Sequence, residues 1–232
     1  MSWTVGSIVF ILVVICVYVY TRRKAILLRT QEWGLYIWFV RDILPKIRFS
    51  WGHCKINGKQ YHEGYAVMQP SDIILSVDWK RLSTWLTPGD DVAHAALCMG
   101  RYDLGDEYEI GEMTHKGYTK SDFFDICKTS DRVLIARCNS WDDEYKKDVI
   151  ARCKECEDTP YDFAFQFGIK ALYCSELVYA ADAEHRMVVD FRDAIGIGTS
   201  YVTPQDILDS LNVTVEWDSW HILDQEKKEE LK

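Results

Sequence analysis

Apolar residues in this chain fall into one long block without charge, then into short blocks with strand or helix periodicity. Residues 5–20, VGSIVFILVVICVYVY, hold no charged side chain. Residues 33–40 form a second, shorter block rich in tryptophan, tyrosine and phenylalanine. Residues 51–69 are turn-rich, and Asn57-Gly58 is a dipeptide suited to a hairpin turn. Beyond them, residues 72–77, 92–99, 108–113, 132–138 (RVLIARC) and 213–217 read as strands. Helices are expected at 79–86, closed by Pro88-Gly89, at 118–127, and at 142–155 with Val149, Ile150 and Cys153 on its apolar face. Another starts at Cys174, where Leu177, Val178 and Ala181 follow at i+3, i+4 and i+7. A last one starts at Thr203-Pro204, where proline is tolerated in the first turn. Strands in series with a cysteine helix packed on them predict an α+β domain.

The long apolar block decides the domain organisation. With residues 1–4 it approaches the roughly 20 residues that cross a bilayer. Its basic residues, Arg22, Arg23 and Lys24, follow the block, and no Ala-x-Ala cleavage site appears. A signal peptide has its charges first, so residues 1–24 read as an uncleaved transmembrane anchor. The positive-inside rule then puts everything after it on the cytoplasmic side. Residues 25–68 read as a juxtamembrane segment. Its aromatic stretch, flanked by Arg41, Lys46 and Arg48, fits equally a helix lying in the headgroup region or one packed on the domain, and Pro45 ends it. Residues 69–224 form the domain proper and 225–232 a charged tail.

Charge narrows the partners. The chain has 232 residues and a formal net charge of −9. Residues 22–50 carry seven Lys or Arg against two Asp or Glu, a net +5, which leaves −14 for the remainder. So acidic a domain argues against binding a nucleic-acid backbone, which needs clustered basic residues. Eight cysteines suit a reducing compartment. Cys153 and Cys156 have the spacing of a metal or redox pair but lie in a predicted helix with no second pair to complete four ligands. His53-Cys54 with His62 likewise lacks partners, so no metal or other cofactor is implied. Asn212-Val213-Thr214 matches a glycosylation acceptor, which has no meaning on a cytoplasmic face.

One stretch carries chemistry. Cys174 stands in the first turn of its helix, where the peptide dipole favours thiolate over thiol. Tyr173-Cys174-Ser175-Glu176-Leu177-Val178-Tyr179, with Tyr161-Asp162 about a dozen residues before it, resembles the nucleophile segment of the permuted NlpC-type papain-like amidases, the YiiX-like group. Asp91-Val92-Ala93-His94-Ala95-Ala96-Leu97 resembles that family's histidine strand, and Gln69-Pro70-Ser71-Asp72-Ile73-Ile74-Leu75 its opening strand. Ser71 stands where the family tends to have glycine, and Ala93 where it often has serine. The resemblance spans residues 69–215 and implies a circularly permuted papain-like domain with the histidine ahead of the cysteine. It further implies Cys174 as nucleophile, His94 as base and Glu112, at the end of the next strand, as orienting acid, with His115 as a competitor. Tyr161 and Tyr173 are expected to line the substrate site. The oxyanion would be held by backbone N–H groups at the start of the Cys174 helix.

Three functions fit these features: a membrane-anchored hydrolase or acyltransferase acting on an amide or ester of a lipid or peptide; a binding module on the same fold; or a membrane-associated adaptor or lysis-related protein.

Overall fold

The computed structural model describes residues 56–79, 84, 90–102, 105, 107–163, 168, 170–193 and 200–220, together with residue 47. The apolar segment 5–20, the aromatic segment 33–40, His53, Cys54 and the charged tail lie outside these residues, as does most of the helix expected at 79–86. Among the described residues no helix is long and apolar enough to cross a membrane.

The elements run α1 (Gly58–Val67), β1 (Ile73–Val77), β2 (His94–Arg101), β3 (Tyr108–Thr114), β4 (Gly117–Asp122), α2 (Phe123–Thr129), β5 (Arg132–Cys138), α3 (Asp143–Glu155), α4 (Cys174–Ala181), β6 (Arg192–Asp193), β7 (Ser200–Tyr201), α5 (Pro204–Leu208) and β8 (Val213–Asp218). Six strands make one antiparallel sheet in the order β4-β3-β2-β1-β5-β8. The short β6–β7 pair stands apart from it.

Both faces of this sheet are covered, which explains the near-continuous apolar run of β1, where all five residues are buried. Ile73 and Leu75 pack with Val149 of α3 and with Leu177, Val178 and Ala181 of α4. Ile74 packs on the other side with Phe123 and Ile126 of α2 and Trp217 of β8. The expected stripe of α4 is the buried one: Leu177, Val178 and Ala181 are each 0% exposed. Leu177 alone accounts for about 1.5–3 kcal/mol of burial free energy.

Two expectations are corrected. Asn57-Gly58 does not turn a hairpin. Asn57 caps α1, its side chain accepting the Gln60 N–H at 2.9 Å while Gln60 Oε1 accepts the Asn57 N–H at 2.7 Å. This reciprocal box satisfies two donors at the helix start, a role for which asparagine is as well suited as for turns. The segment expected as one helix at 118–127 divides at Asp122. Residues before it form β4, and the Asp122 carboxylate accepts the Asp125 N–H at 2.6 Å to start α2. Pairing with β3 overrides the local preference of Tyr118 to Ser121.

Asp72, 0% exposed, receives a two-pronged guanidinium from Arg137 of β5 at 2.8 and 2.9 Å and the Gln69 N–H at 2.7 Å. Burial nevertheless raises its pKa above the ordinary carboxylate value, with Arg137 and the Gln69 N–H opposing that rise. Ser71 beside it holds φ +71°, a left-handed conformation that suits glycine. Ser71 therefore stands in a backbone turn of the kind that glycine adopts without strain.

Candidate active site

His94 is the first residue of β2 and Glu112 lies on β3, where it is paired with Ala96. Two residues along a strand return a side chain to the same side, so His94 and Glu112 are diagonal neighbours within reach of each other. His94 Nε2 stands 2.6 Å from Glu112 Oε2. The second carboxylate oxygen, Oε1, accepts the hydroxyl of Ser121. Ser121 reaches it by the same logic, since on β4 it pairs with Ile110, two residues before Glu112. Gly111 lets the neighbouring elements close over this strand: a Cβ there would lie 2.6 Å from the Tyr118 hydroxyl and 3.2 Å from Cys153 Sγ.

Cys174 is the first residue of α4 and is 7% exposed. It is hydrogen-bonded to His94. Because Glu112 holds Nε2, the ring nitrogen left for the sulfur is Nδ1. Burial by itself opposes a thiolate, but the hydrogen bond and charge of His94, with the Ala95 and Ser175 N–H groups, bring the Cys174 thiol below its ordinary range. Burial likewise opposes an imidazolium at His94. Hydrogen bonds to Cys174 and Glu112, with the charges behind them, more than offset it and push His94 up to about 10. Both shifts run toward a thiolate beside an imidazolium that is backed by a carboxylate. The His94 side chain keeps 29% of its surface open to solvent, so the pair is accessible from one side.

Neighbouring cysteines have the opposite environment. Burial pushes Cys98, Cys127 and Cys153 each up to about 12. Cys153 lies in α3 and Cys156 caps its end. Among the described residues no group of three or more His, Cys, Asp or Glu is placed to hold a metal ion.

The other residues singled out in the sequence divide. Tyr161 is half-buried, bridges in parallel fashion to Leu172, and stands close enough to Cys174 for the thiolate charge to help raise its phenol, after burial as the main cause. Tyr173 is 2% exposed and its hydroxyl accepts the Val202 N–H at 3.1 Å, so its ring belongs to the core under α4. His115 lies in the exposed turn between β3 and β4, and it is Glu112 that meets His94. His62 is exposed on α1. The Asn212 side chain is engaged with Ser140, Arg186 and Val188.

Three residues near the site went unread in the sequence. Ser121 fell inside an expected helix. Glu176, in the first turn of α4 and 2% exposed, accepts the N–H groups of Gly168 at 2.9 Å and Tyr173 at 3.4 Å. Burial pushes its carboxyl up to about 7 against those two bonds. Its place three residues after the Tyr173 cap position was the signal that could have found it. Arg192 gave no signal at all.

Residues 67–214 match the family described as permuted papain-like amidase enzyme, YaeF/YiiX, C92 family. The chain belongs to this family. Its fold is similar to the crystal structure of metalloprotein yiiX from Escherichia coli O157:H7, with a TM-score of 0.56 and 17% sequence identity over 64% of this chain and 96% of that one. No curated protein matches the chain. The expected permuted papain-like domain is thus that of the family, which is described as a permuted papain-like amidase.

Proposed function

We propose that this protein is a cysteine amidase or esterase working through an acyl-enzyme, with Cys174 as nucleophile, His94 as general base and acid, and Glu112 as the group that fixes the imidazole. The observation that carries the reading is the Glu112 Oε2 to His94 Nε2 bond of 2.6 Å, which leaves Nδ1 for Cys174 at the start of α4. In this reading the Cys174 thiolate adds to the substrate carbonyl carbon. The oxygen that becomes negative is met by N–H groups of the first turn of α4, which have no acceptor within the helix. His94, protonated at Nδ1, gives that proton to the departing nitrogen or oxygen as the bond to carbon breaks. The acyl group now rests on sulfur. Water, or another hydroxyl or amine, then loses a proton to His94 as it attacks the thioester, and the thiolate leaves. Glu112 stays ionised throughout and stabilises the imidazolium. Tyr161 stands as a wall of the substrate site.

The apolar segment 5–20, with its basic residues on the far side, supports a membrane anchor and a cytoplasmic domain. A site held near a bilayer favours lipid acyl groups over cell-wall peptide as substrate.

Incubation with p-nitrophenyl esters and anilides of graded chain length, quenched in acid and digested, tests the reading. The peptide carrying Cys174 should gain the acyl mass, and Cys174→Ser should lose turnover. Release of p-nitrophenol by Cys174→Ser at the wild-type rate would refute it and favour a binding module on this fold.

A further inference from the structure

We propose that Arg192 is a positioning residue that sets how α4, carrying Cys174, approaches the strand carrying His94. This rests on the reading of Cys174 and His94 as the reacting pair. Arg192 Nη1 donates to Asp90 at 3.0 and 3.3 Å, and Arg192 Nε donates to Asp206 at 2.8 Å. The two carboxylate side chains are only 6% and 9% exposed. Two such groups brought to one place repel unless a cation stands between them. The fixed fork of a guanidinium can serve both at once, which the point charge of a lysine cannot.

Each carboxylate leads to one half of the dyad. Asp90 precedes His94 by four residues, in the loop that enters β2 and is tied to β1 by the Ala93 N–H on the Ser76 carbonyl at 3.0 Å. Asp206 belongs to the first turn of α5, where Oδ2 accepts both the N–H and the hydroxyl of Thr203 at 2.7 and 2.8 Å. Thr203 follows Val202, and Val202 is gripped by the residues on either side of the nucleophile. Its N–H donates to the Tyr173 hydroxyl at 3.1 Å and its carbonyl accepts the Ser175 hydroxyl at 2.8 Å. The nucleophile, Val202, Thr203, Asp206, Arg192, Asp90 and the His94 strand therefore form a ring that closes through the Cys174–His94 hydrogen bond. Gln205 adds a parallel tie, its side-chain oxygen accepting the Asp91 N–H at 2.8 Å. Cutting the ring at Arg192 loosens the helix side from the histidine side, with Gln205 still bridging them, and leaves every residue that meets the substrate unchanged in identity.

The test uses the full chain and iodoacetamide. The rate of Cys174 alkylation is followed by peptide mass spectrometry from pH 5 to 10 in the wild type, Arg192→Gln, Arg192→Lys, and Arg192→Gln with Asp90→Asn. The double variant removes one of the two carboxylates left without the guanidinium, and with it their mutual repulsion, and so guards against failure to fold. In the wild type the rate at pH 6.5 should exceed that of an ordinary thiol while still lying on the rising limb of the profile. In Arg192→Gln it should drop there on the order of tenfold, the effect of raising the thiol by one pH unit, with the high-pH plateau unchanged. Arg192→Lys should recover only part, and the double variant should show the same drop with its melting temperature restored. A purely structural Arg192 would shift melting and leave the pH profile where it was. A wild-type profile in any folded variant lacking Arg192 overturns the inference. If the wild type itself titrates like an ordinary thiol, the reading of Cys174 falls first and this inference with it.

Discussion

Replacing Glu112 by glutamine removes one charge and keeps the shape, and the hydrogen bonds around the side chain set the consequence. In the wild type Glu112 accepts twice, from His94 through Oε2 and from Ser121 through Oε1. Glutamine has one acceptor oxygen and one amide donor, so it cannot accept on both sides in the same way. Ser121 resolves the conflict, because a hydroxyl can turn and accept. The introduced glutamine therefore keeps its oxygen on His94 and turns its amide to Ser121, which preserves the tautomer. What is lost is the charge. A hydrogen bond to a charged group contributes about 1.5–3 kcal/mol, against about 0.5–1.5 for a neutral one. A difference of about 1–2 kcal/mol lowers His94, held at about 10 in the wild type, by roughly one pH unit and slows turnover roughly 5- to 30-fold. With Ser121→Ala added, the amide loses the hydroxyl that accepts from it, and the preference for this orientation of the glutamine falls. An N–H facing His94 Nε2 favours the tautomer with its proton on Nδ1, the wrong one for accepting a proton there. The loss should then grow well beyond the single variant. The assay is the His94 ring titration by nuclear magnetic resonance, with p-nitrophenyl ester turnover alongside. A His94 titration in Glu112→Gln that coincides with the wild type would refute the reasoning, whatever the rate.

Three further outcomes rest on the fold and the site. Ser71→Gly should stabilise the protein by up to about 1 kcal/mol, since relief of a left-handed non-glycine residue, about 1–2 kcal/mol, outweighs the added chain entropy of glycine, about 0.5–1; a lower midpoint in urea would contradict this. Arg137→Met should destabilise by about 3–5 kcal/mol at neutral pH by stranding the buried Asp72, and adding Asp72→Asn should recover much of the loss; denaturant midpoints decide it. Glu176 titrates near 7 folded against an ordinary 4.5, so the folded state holds the extra proton between these values, and its contribution to stability falls as pH rises from about 4.5 through about 7. Glu176→Gln should flatten that part of the profile of melting temperature against pH; an unchanged slope would show that Glu176 is not its source.

The sequence shows the large elements because their burial follows simple periods. The i+3, i+4, i+7 stripe of α4 and the apolar runs of β1, β2 and β5 lie where they were expected. Cys174 and His94 were legible through the resemblance of their segments to the family, and the structure brings both together with Glu112. The misread places share one cause. Asn57 and Asp122 are residues that turn a chain and also cap a helix, and only the partner at 60 or 125 distinguishes the two. Tyr118 to Ser121 became a strand because β3 offered it an edge, which no local window contains. That step also hid Ser121, whose role exists only once β3 and β4 are in register. Arg192 is further from view, since Asp90 lies 102 residues before it and Asp206 reaches it from the first turn of α5.

The most direct test of the central claim is the order in which the cysteines react. At pH 7, with iodoacetamide limiting and each peptide quantified, Cys174 should be modified before Cys98, Cys127 and Cys153, whose thiols burial pushes up to about 12. His94→Ala removes the cation beside the sulfur, and Cys174 should then lose its lead. A wild-type protein in which any of those three cysteines reacts first, or a His94→Ala variant in which Cys174 keeps its rate, would contradict the account.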